Sequence, residues 1–144
     1  MATEAEWEYA AAGGGENRLY PWGSEPATVD HAVMDCLGDG MPGCAMDDRS
    51  DILPVGSKPL GNGRWGHSDL GGLMLEWTRD WYAEDWYTTT SLGCSDCANL
   101  TPSSYFTERG GMWGNPASSM RAADRRYASA PAGTNNTARC VRTP

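Results

Sequence analysis

The stretch from Gly66 to Tyr82, which reads GHSDLGGLMLEWTRDWY, constrains the fold of this chain more than any other. A glycine-rich turn is followed there by a short apolar run and then by two tryptophans and a tyrosine. Glycine adopts backbone conformations that other residues avoid, and each buried aromatic ring contributes a large apolar area. The pattern therefore predicts a turn that leads into a buried strand over residues 73–77.

Two carboxylates, Asp69 and Glu76, bracket this turn. Calcium is bound by carboxylate and backbone carbonyl oxygens together, so a glycine turn between two acids is a candidate site for this ion. The alternative is a buried strand whose acids point to water. The local pattern taken alone favours that alternative over a metal.

The composition indicates one compact domain rich in loops. A chain of 144 residues is long enough for a single core. It contains seven Trp, six Tyr, 18 Gly and nine Pro but only one Phe. So many turn-forming residues, with few Ile and Val, argue against a helical bundle or a parallel α/β sheet. Short strands with aromatic side chains filling the core are expected instead.

The net charge and the cysteine content bear on partners and location. A net charge of −8 argues against a nucleic acid or an anionic membrane surface as a partner, because both select an excess of Lys and Arg. No apolar run approaches the roughly 20 residues of a membrane span. Five cysteines are more than a cytosolic domain of this length usually carries. A secreted, periplasmic or extracellular location is expected, although no signal peptide is present in this chain.

The spacing of the cysteines predicts one local disulfide. Cys36 and Cys44 flank a turn-rich loop that a bond between them would close, while Cys94 and Cys97 form a C-x-x-C motif. Because the count is odd, at least one thiol stays unpaired or forms a bond to another chain. A four-cysteine zinc site is the weaker alternative, since Cys36 and Cys44 lack the close spacing of such sites.

Several motifs together carry a resemblance to a known family. They are TEAEWEYAA at 3–11, LYPWG at 19–23, DLGG with EWT and DWY across 69–82, RGG with Trp at 109–113, RAADR at 121–125 and ARCVR at 138–142. In this order they resemble the formylglycine-generating enzyme family, also called sulfatase-modifying factors. The resemblance implies a single α+β domain over residues 1–144 with a C-type-lectin-like fold. Such a fold has little regular secondary structure, with short antiparallel strands and one or two helices.

The resemblance also implies that the N-terminal part of the family domain is absent from this chain. Strands of that part belong to the family's common core. A second copy in a homo-oligomer, or a partner chain, would then cover the surface left exposed.

The same resemblance assigns four calcium ligands in the stretch from Gly66 to Tyr82. The side chains of Asp69 and Glu76 and the backbone carbonyls of Gly72 and Met74 match the positions that hold calcium in the family. The chain departs from the family at Leu73 and Leu75, but carbonyl ligands do not depend on side-chain identity. With the family considered, calcium becomes the favoured interpretation of this turn.

Copper is not expected. Family members that make formylglycine oxidise a substrate cysteine with copper held by two cysteines a few residues beyond the Gly-Gly pair. Residues 112–120 contain no cysteine, and none lies between Cys97 and Cys140. Copper(I) requires soft thiolate ligands. His31 and His67 are too few for the histidine-bound iron of some relatives.

These observations predict a calcium-stabilised, non-catalytic domain that binds a peptide, a protein or a glycan. The residue types that binding surfaces favour cluster after the RGG motif, and the candidate ligand-binding residues are Trp113, Asn115, Arg126 and Tyr127. Three alternatives stay open. One is an oxidase acting on a sulfatase cysteine, and another is an accessory structural module. The third is the variable protein of a diversity-generating retroelement, with its changes between about Gly111 and Asn136.

Overall fold

The computed structural model describes residues 1–37, 50–90, 97–129 and 135–141. Within these ranges the chain forms one α-helix and four short strands, joined by single helical turns and irregular loops. The elements are α1 (Glu4–Ala11), β1 (Leu75–Trp81), β2 (Phe106–Arg109), β3 (Arg126–Ala128) and β4 (Asn136–Ala138), with 3-10 turns at Gly14–Glu16, Pro59–Gly61 and Ala117–Met120 and a π-helical turn at Trp86–Thr90. The predicted α+β class with little regular structure is confirmed.

Helix α1 begins with a capping box, as its sequence predicts. The Thr3 hydroxyl accepts from the Glu6 backbone N–H at 3.2 Å, and the Glu6 carboxylate accepts from the Thr3 N–H at 2.8 Å. The buried face of the helix places Trp7 against Leu70 in one of the core clusters. After the helix, Gly13 has a left-handed φ of 68°. Glycine adopts this conformation without strain, which explains the end of the helix at the three-glycine run.

The four strands form one sheet in the order β3-β2-β1-β4. Strands β1, β2 and β3 pair antiparallel, whereas β4 pairs parallel to β1. The expectation of antiparallel strands is therefore wrong for β4, because a parallel partner comes from a distant segment that no local pattern reveals. Thr137 of β4 lies opposite Glu76 of β1. This register brings Arg139, just beyond β4, to the start of β1.

The stretch from Gly66 to Tyr82 adopts the predicted turn and strand. The strand, β1, covers Leu75–Trp81, so it begins later and is longer than the predicted range of 73–77. Asp69, Gly72 and Leu73 all have left-handed φ angles, of 57°, 86° and 66°. A Cβ atom on Gly72 would lie 2.5 Å from the carbonyl oxygen of Val33, so only glycine fits there. The turn is therefore tightly coiled against residue 33 before the chain enters β1.

Candidate functional site

Three of the four residues predicted to bind calcium line one cavity. Asp69, Met74 and Glu76 line a cavity of about 280 Å³ beside the coiled turn, and Gly72 lies between them in the chain. The remaining lining residues are Val55, Ser68, Leu73, Thr137, Ala138 and Arg139. The structure thus brings the two predicted carboxylates to the same place.

Glu76 is the most constrained of these groups. It is 4% exposed, and its Oε2 atom accepts from Trp7 Nε1 at 2.8 Å and from Arg139 Nε at 3.0 Å. Its Oε1 atom accepts from Arg139 Nη2 at 2.5 Å. Arg139 Nη2 also donates to the carbonyl oxygen of Ser68 at 2.9 Å. The Arg139 guanidinium thus donates to both oxygens of Glu76, the carboxylate predicted to bind calcium. The spacing of residues in the sequence did not reveal this pair.

Asp69 and the Gly72 carbonyl each accept one hydrogen bond among the described residues. Asp69 Oδ2 accepts from the Gly56 N–H at 2.7 Å, and among the described residues its Oδ1 accepts no hydrogen bond. The Gly72 carbonyl accepts from the Met74 N–H at 2.9 Å and has a second lone pair. Carboxylate and carbonyl oxygens are of the type that calcium binds. Among the described residues, however, no group of three or more acidic, histidine or cysteine side chains is placed to hold a metal ion, and the candidate site has two carboxylates.

Trp113, one of the predicted ligand-binding residues, is buried in the structure. Its side chain is 6% exposed and packs in a core cluster with Val33 and Leu73. Its backbone N–H donates to the Leu73 carbonyl at 3.2 Å, and its own carbonyl accepts from Cys36 at 2.9 Å. The large apolar area of the indole favours burial, and in this position Trp113 packs against the coiled turn at Leu73.

Asn115 also serves the scaffold. Its side-chain Oδ1 accepts from the Met112 N–H at 3.1 Å and so closes the turn after Trp113. Its backbone carbonyl accepts from Asp35 at 3.0 Å. Farther along, Met120 is completely buried against Tyr20. The segment 112–120 therefore combines buried anchors at Trp113 and Met120 with the exposed residues Pro116 and Ser118.

Tyr127 is the predicted ligand residue that lies most clearly on the surface. It is 54% exposed, and its ring lies 4.6 Å from that of Tyr82 and 4.9 Å from that of Tyr105, which is itself 44% exposed. We call these three side chains the tyrosine surface. The Arg125 guanidinium lies 5.0 Å from the ring centroid of Tyr82 and the same distance from that of Tyr87. These two cation–π contacts help to hold Tyr82 in position.

Arg126 is next to Tyr127 but is partly engaged. Its Nε donates to Asp124 Oδ2 at 3.0 Å, and its Nη2 donates to Ser119 Oγ. Among the described residues, no recorded contact joins Trp113 or Asn115 directly to Tyr127. Of the four predicted ligand residues, two therefore lie in the loop at 113–115 and two on β3. The sequence did not indicate that Tyr82 and Tyr105 lie beside Tyr127, because these positions are far apart in the chain.

The cysteines are mostly oxidised within the described ranges. Cys36 and Cys97 are each disulfide-bonded, and Cys140 is free and exposed. Cys44 and Cys94 lie outside the described residues, so the pairing of Cys36 with Cys44 stays a prediction. In the part of the chain that the structure describes, no helix is both long and apolar enough to cross a membrane.

Comparison with known proteins places these features in context. The sulfatase-modifying factor enzyme 1-like domain matches residues 1–144. The serine/threonine-protein kinase Pkn1 of Chlamydia trachomatis serovar L2 is 31% identical over 137 residues, covering 95% of this chain and 20% of the kinase. The formylglycine-generating enzyme of Streptomyces coelicolor is 36% identical over 90 residues, covering 60% of this chain and 28% of the enzyme. This chain therefore spans less than a third of the length of these two relatives.

Two solved structures share the fold. PvdO from Pseudomonas aeruginosa superposes with a TM-score of 0.68 at 27% identity, covering 91% of this chain and 47% of PvdO. Variable protein 1 of Treponema denticola gives a TM-score of 0.68 at 23% identity, covering 94% of this chain and 44% of that protein. The second likeness shows the fold alone.

Proposed function

The chain belongs to the sulfatase-modifying factor enzyme 1-like family, and on this basis we propose that it is a calcium-stabilised, non-catalytic ligand-binding domain. The observation that carries the proposal is the absence of cysteine from residues 112–120 of an otherwise recognisable family sequence. The described cysteines do not replace the missing pair, since Cys36 and Cys97 are oxidised and Cys140 is a single thiol. Copper(I) would lack its thiolate ligands.

The tyrosine surface is the place where we propose that ligand binds. Tyrosine side chains provide rigid contact area with a polar tip at a small cost in conformational entropy, and they are enriched in binding sites of many kinds. Strand β3, which carries Tyr127, lies at the edge of the sheet, and among the described residues no other strand pairs with its outer side. A peptide, a protein or a glycan would contact Tyr127 and Tyr105 directly.

We assign calcium a structural role in this proposal. Asp69 and Glu76 would supply carboxylate oxygens, and Gly72 and Met74 would supply carbonyl oxygens. The two carboxylates carry a charge of about −2, and the Arg139 guanidinium carries about +1. The protein groups around a divalent ion would therefore have a net charge of only about −1. We therefore expect weak binding, on the order of the 10⁻⁴–10⁻³ M dissociation constants of extracellular calcium modules. The disulfide-bonded cysteines favour the oxidising, secreted or periplasmic location where such concentrations occur.

Ligand binding is tested by replacing Tyr127 with alanine. Peptide and glycan arrays are probed with the wild-type domain, and the strongest ligand is then titrated against Tyr127→Ala by calorimetry. Truncation of a central aromatic contact commonly costs about 2 kcal/mol or more, so at least a tenfold loss of affinity is expected. Tyr9→Ala is the matched control, because Tyr9 is also exposed and stacked on an aromatic ring, Trp65, at 5.6 Å.

Equal affinity of wild type and Tyr127→Ala for every captured ligand would show that the tyrosine surface is not the binding site. The melting temperature of each variant is measured alongside, so that loss of folding is separated from loss of binding. A loss in both Tyr127→Ala and Tyr9→Ala would also contradict the assignment.

The variable protein of a diversity-generating retroelement is a second candidate. The described residues in the interval expected to vary include the exposed Tyr127, and the fold likeness to Treponema denticola variable protein 1 is compatible with this role. Sibling sequences that differ only between about Gly111 and Asn136 would support it. Differences spread evenly along the chain would count against it.

A further inference from the structure

We propose that the guanidinium of Arg139 acts as a built-in cation in the candidate calcium cavity. It keeps the coiled turn ordered when no metal is bound, and it sets how tightly calcium binds. This inference rests on the proposed calcium role and adds the residue that regulates it. The cavity is lined by Asp69, Met74, Glu76 and Arg139 together. Among the described residues that line the cavity, Arg139 is the one basic side chain, and it contacts a carboxylate that we assign to the metal.

The contacts of Arg139 reproduce those that calcium would make. Its guanidinium binds both Glu76 oxygens, at 3.0 and 2.5 Å, and the Ser68 carbonyl at 2.9 Å. Carboxylate and carbonyl oxygens are the ligands that calcium selects. A planar guanidinium satisfies several such oxygens at once and stays charged at any physiological pH. Arg139 can therefore tie the turn to the start of β1 in the absence of metal.

The fold fixes Arg139 in this position. Thr137 of β4 pairs in parallel register with Glu76 of β1, so the residue two places farther along reaches the Glu76 carboxylate. Side chains two apart on an extended strand point to the same face. The pairing is therefore a consequence of the sheet, and a long side chain at position 139 is held beside the carboxylate.

The hydrogen bonds to Glu76 also limit which of its oxygens a calcium ion can reach. Glu76 Oε2 already accepts from Trp7 and Arg139, whereas Oε1 accepts only from Arg139 among the described residues. A calcium ion must therefore share Oε1 with the guanidinium or displace it. Either way, the positive charge of Arg139 opposes the ion, and removal of that charge strengthens calcium binding.

The test compares Arg139→Gln with wild type. Thermal unfolding is followed in excess chelator and across a calcium titration, and Tb³⁺ is titrated as a luminescent substitute excited through the tryptophan at position 7, whose Nε1 lies 2.8 Å from Glu76 Oε2. Arg79→Gln is the control for the change of charge, because Arg79 is exposed on β1. In chelator, Arg139→Gln is expected to melt several degrees lower than wild type and Arg79→Gln, because the turn loses its cation.

Calcium is expected to restore the melting temperature of Arg139→Gln, with an apparent affinity at least tenfold tighter than that of wild type. An unchanged melting temperature in chelator would overturn the proposal, and so would a loss that calcium does not restore while wild type responds to calcium. A failure of both proteins to respond to calcium or Tb³⁺ would refute the proposed calcium role as well, yet it would leave ligand binding at the tyrosine surface standing. Should Arg139→Gln not fold, Arg139→Lys is measured, because an ammonium group cannot occupy both oxygens in the same way. Because lysine keeps the positive charge but leaves one Glu76 oxygen free for the ion, a smaller gain in calcium affinity, at least threefold, is then expected, and an unchanged affinity would overturn the proposal.

Discussion

Replacement of Glu4 by glutamine is expected to lower the free energy of unfolding by about 3–5 kcal/mol, the usual cost of breaking a buried ion pair from one side. The Glu4 side chain is 1% exposed, and its Oε1 accepts from Arg109 Nε at 3.0 Å. Arg125 donates to the same carboxylate, through Nε to Oε1 and through Nη2 to Oε2. Removal of the Glu4 charge leaves the fully buried Arg109 guanidinium without its innermost anion.

Glu8→Gln provides the matched control within the same helix. Glu8 also contacts Arg109, through Nη2, but its side chain is 43% exposed. Pairs that face solvent contribute about 1 kcal/mol or less, so Glu8→Gln is expected to have a small effect. Chemical denaturation of both variants measures the difference. Equal losses would mean that burial of the Glu4 pair does not determine its contribution.

Replacement of Asp80 by asparagine is expected to lower the free energy of unfolding by about 2–4 kcal/mol, because a buried donor loses its acceptor. Asp80 is completely buried, and its two oxygens accept from the backbone N–H groups of Glu4 and Asn99, each at 2.7 Å. An amide of the same shape offers one oxygen and turns its NH₂ group towards the other N–H. The exposed Asp30→Asn is the control and should be near neutral.

The stability of the domain should also depend on pH through Asp80. Burial is the main cause that raises the pKa of Asp80 above its ordinary 3.8, outweighing the two backbone hydrogen bonds that lower it. The folded state therefore keeps a proton that the unfolded state releases, and the resulting stabilisation is full below pH 3.8 and is lost as the pH rises through the folded pKa. Burial raises the pKa of Glu108 in the same direction.

The free-energy difference between wild type and Asp80→Asn is accordingly expected to be larger near pH 4 than at pH 7, since only the wild type gains from protonation of residue 80. Denaturation curves at a series of pH values measure it. A difference that grows as the pH rises would show that Asp80 has a lowered pKa and that its hydrogen bonds outweigh its burial.

Local sequence patterns predicted the elements whose contacts are local. The capping box at Thr3 and Glu6 spans three residues, and the glycine-rich turn before β1 follows from the conformations that glycine permits. The family resemblance predicted the fold class and assigned Asp69 and Glu76 to one site. In the structure both residues line the same cavity. These parts depend on neighbours in the chain or on motifs that the family carries.

What the sequence did not reveal depends on contacts between distant residues. Arg139 and Glu76 are 63 positions apart, and Arg109 and Glu4 are 105 apart. Trp113 was predicted to be a ligand residue because aromatic rings suit both surfaces and cores, and its own segment contains no signal that separates the two. The parallel pairing of β4 with β1 determines where Arg139 lies, and that pairing has no local signature.

A copper assay tests whether the chain lacks the oxidase chemistry of enzymes that make formylglycine. The full chain is titrated with Cu(I) under reducing conditions and then incubated in air with a cysteine-containing sulfatase peptide, which is analysed by mass spectrometry for conversion of cysteine to formylglycine. We expect no stoichiometric copper binding at residues 112–120 and an unchanged peptide, with an active formylglycine-generating enzyme as positive control. Stoichiometric copper binding together with aldehyde formation would contradict this expectation.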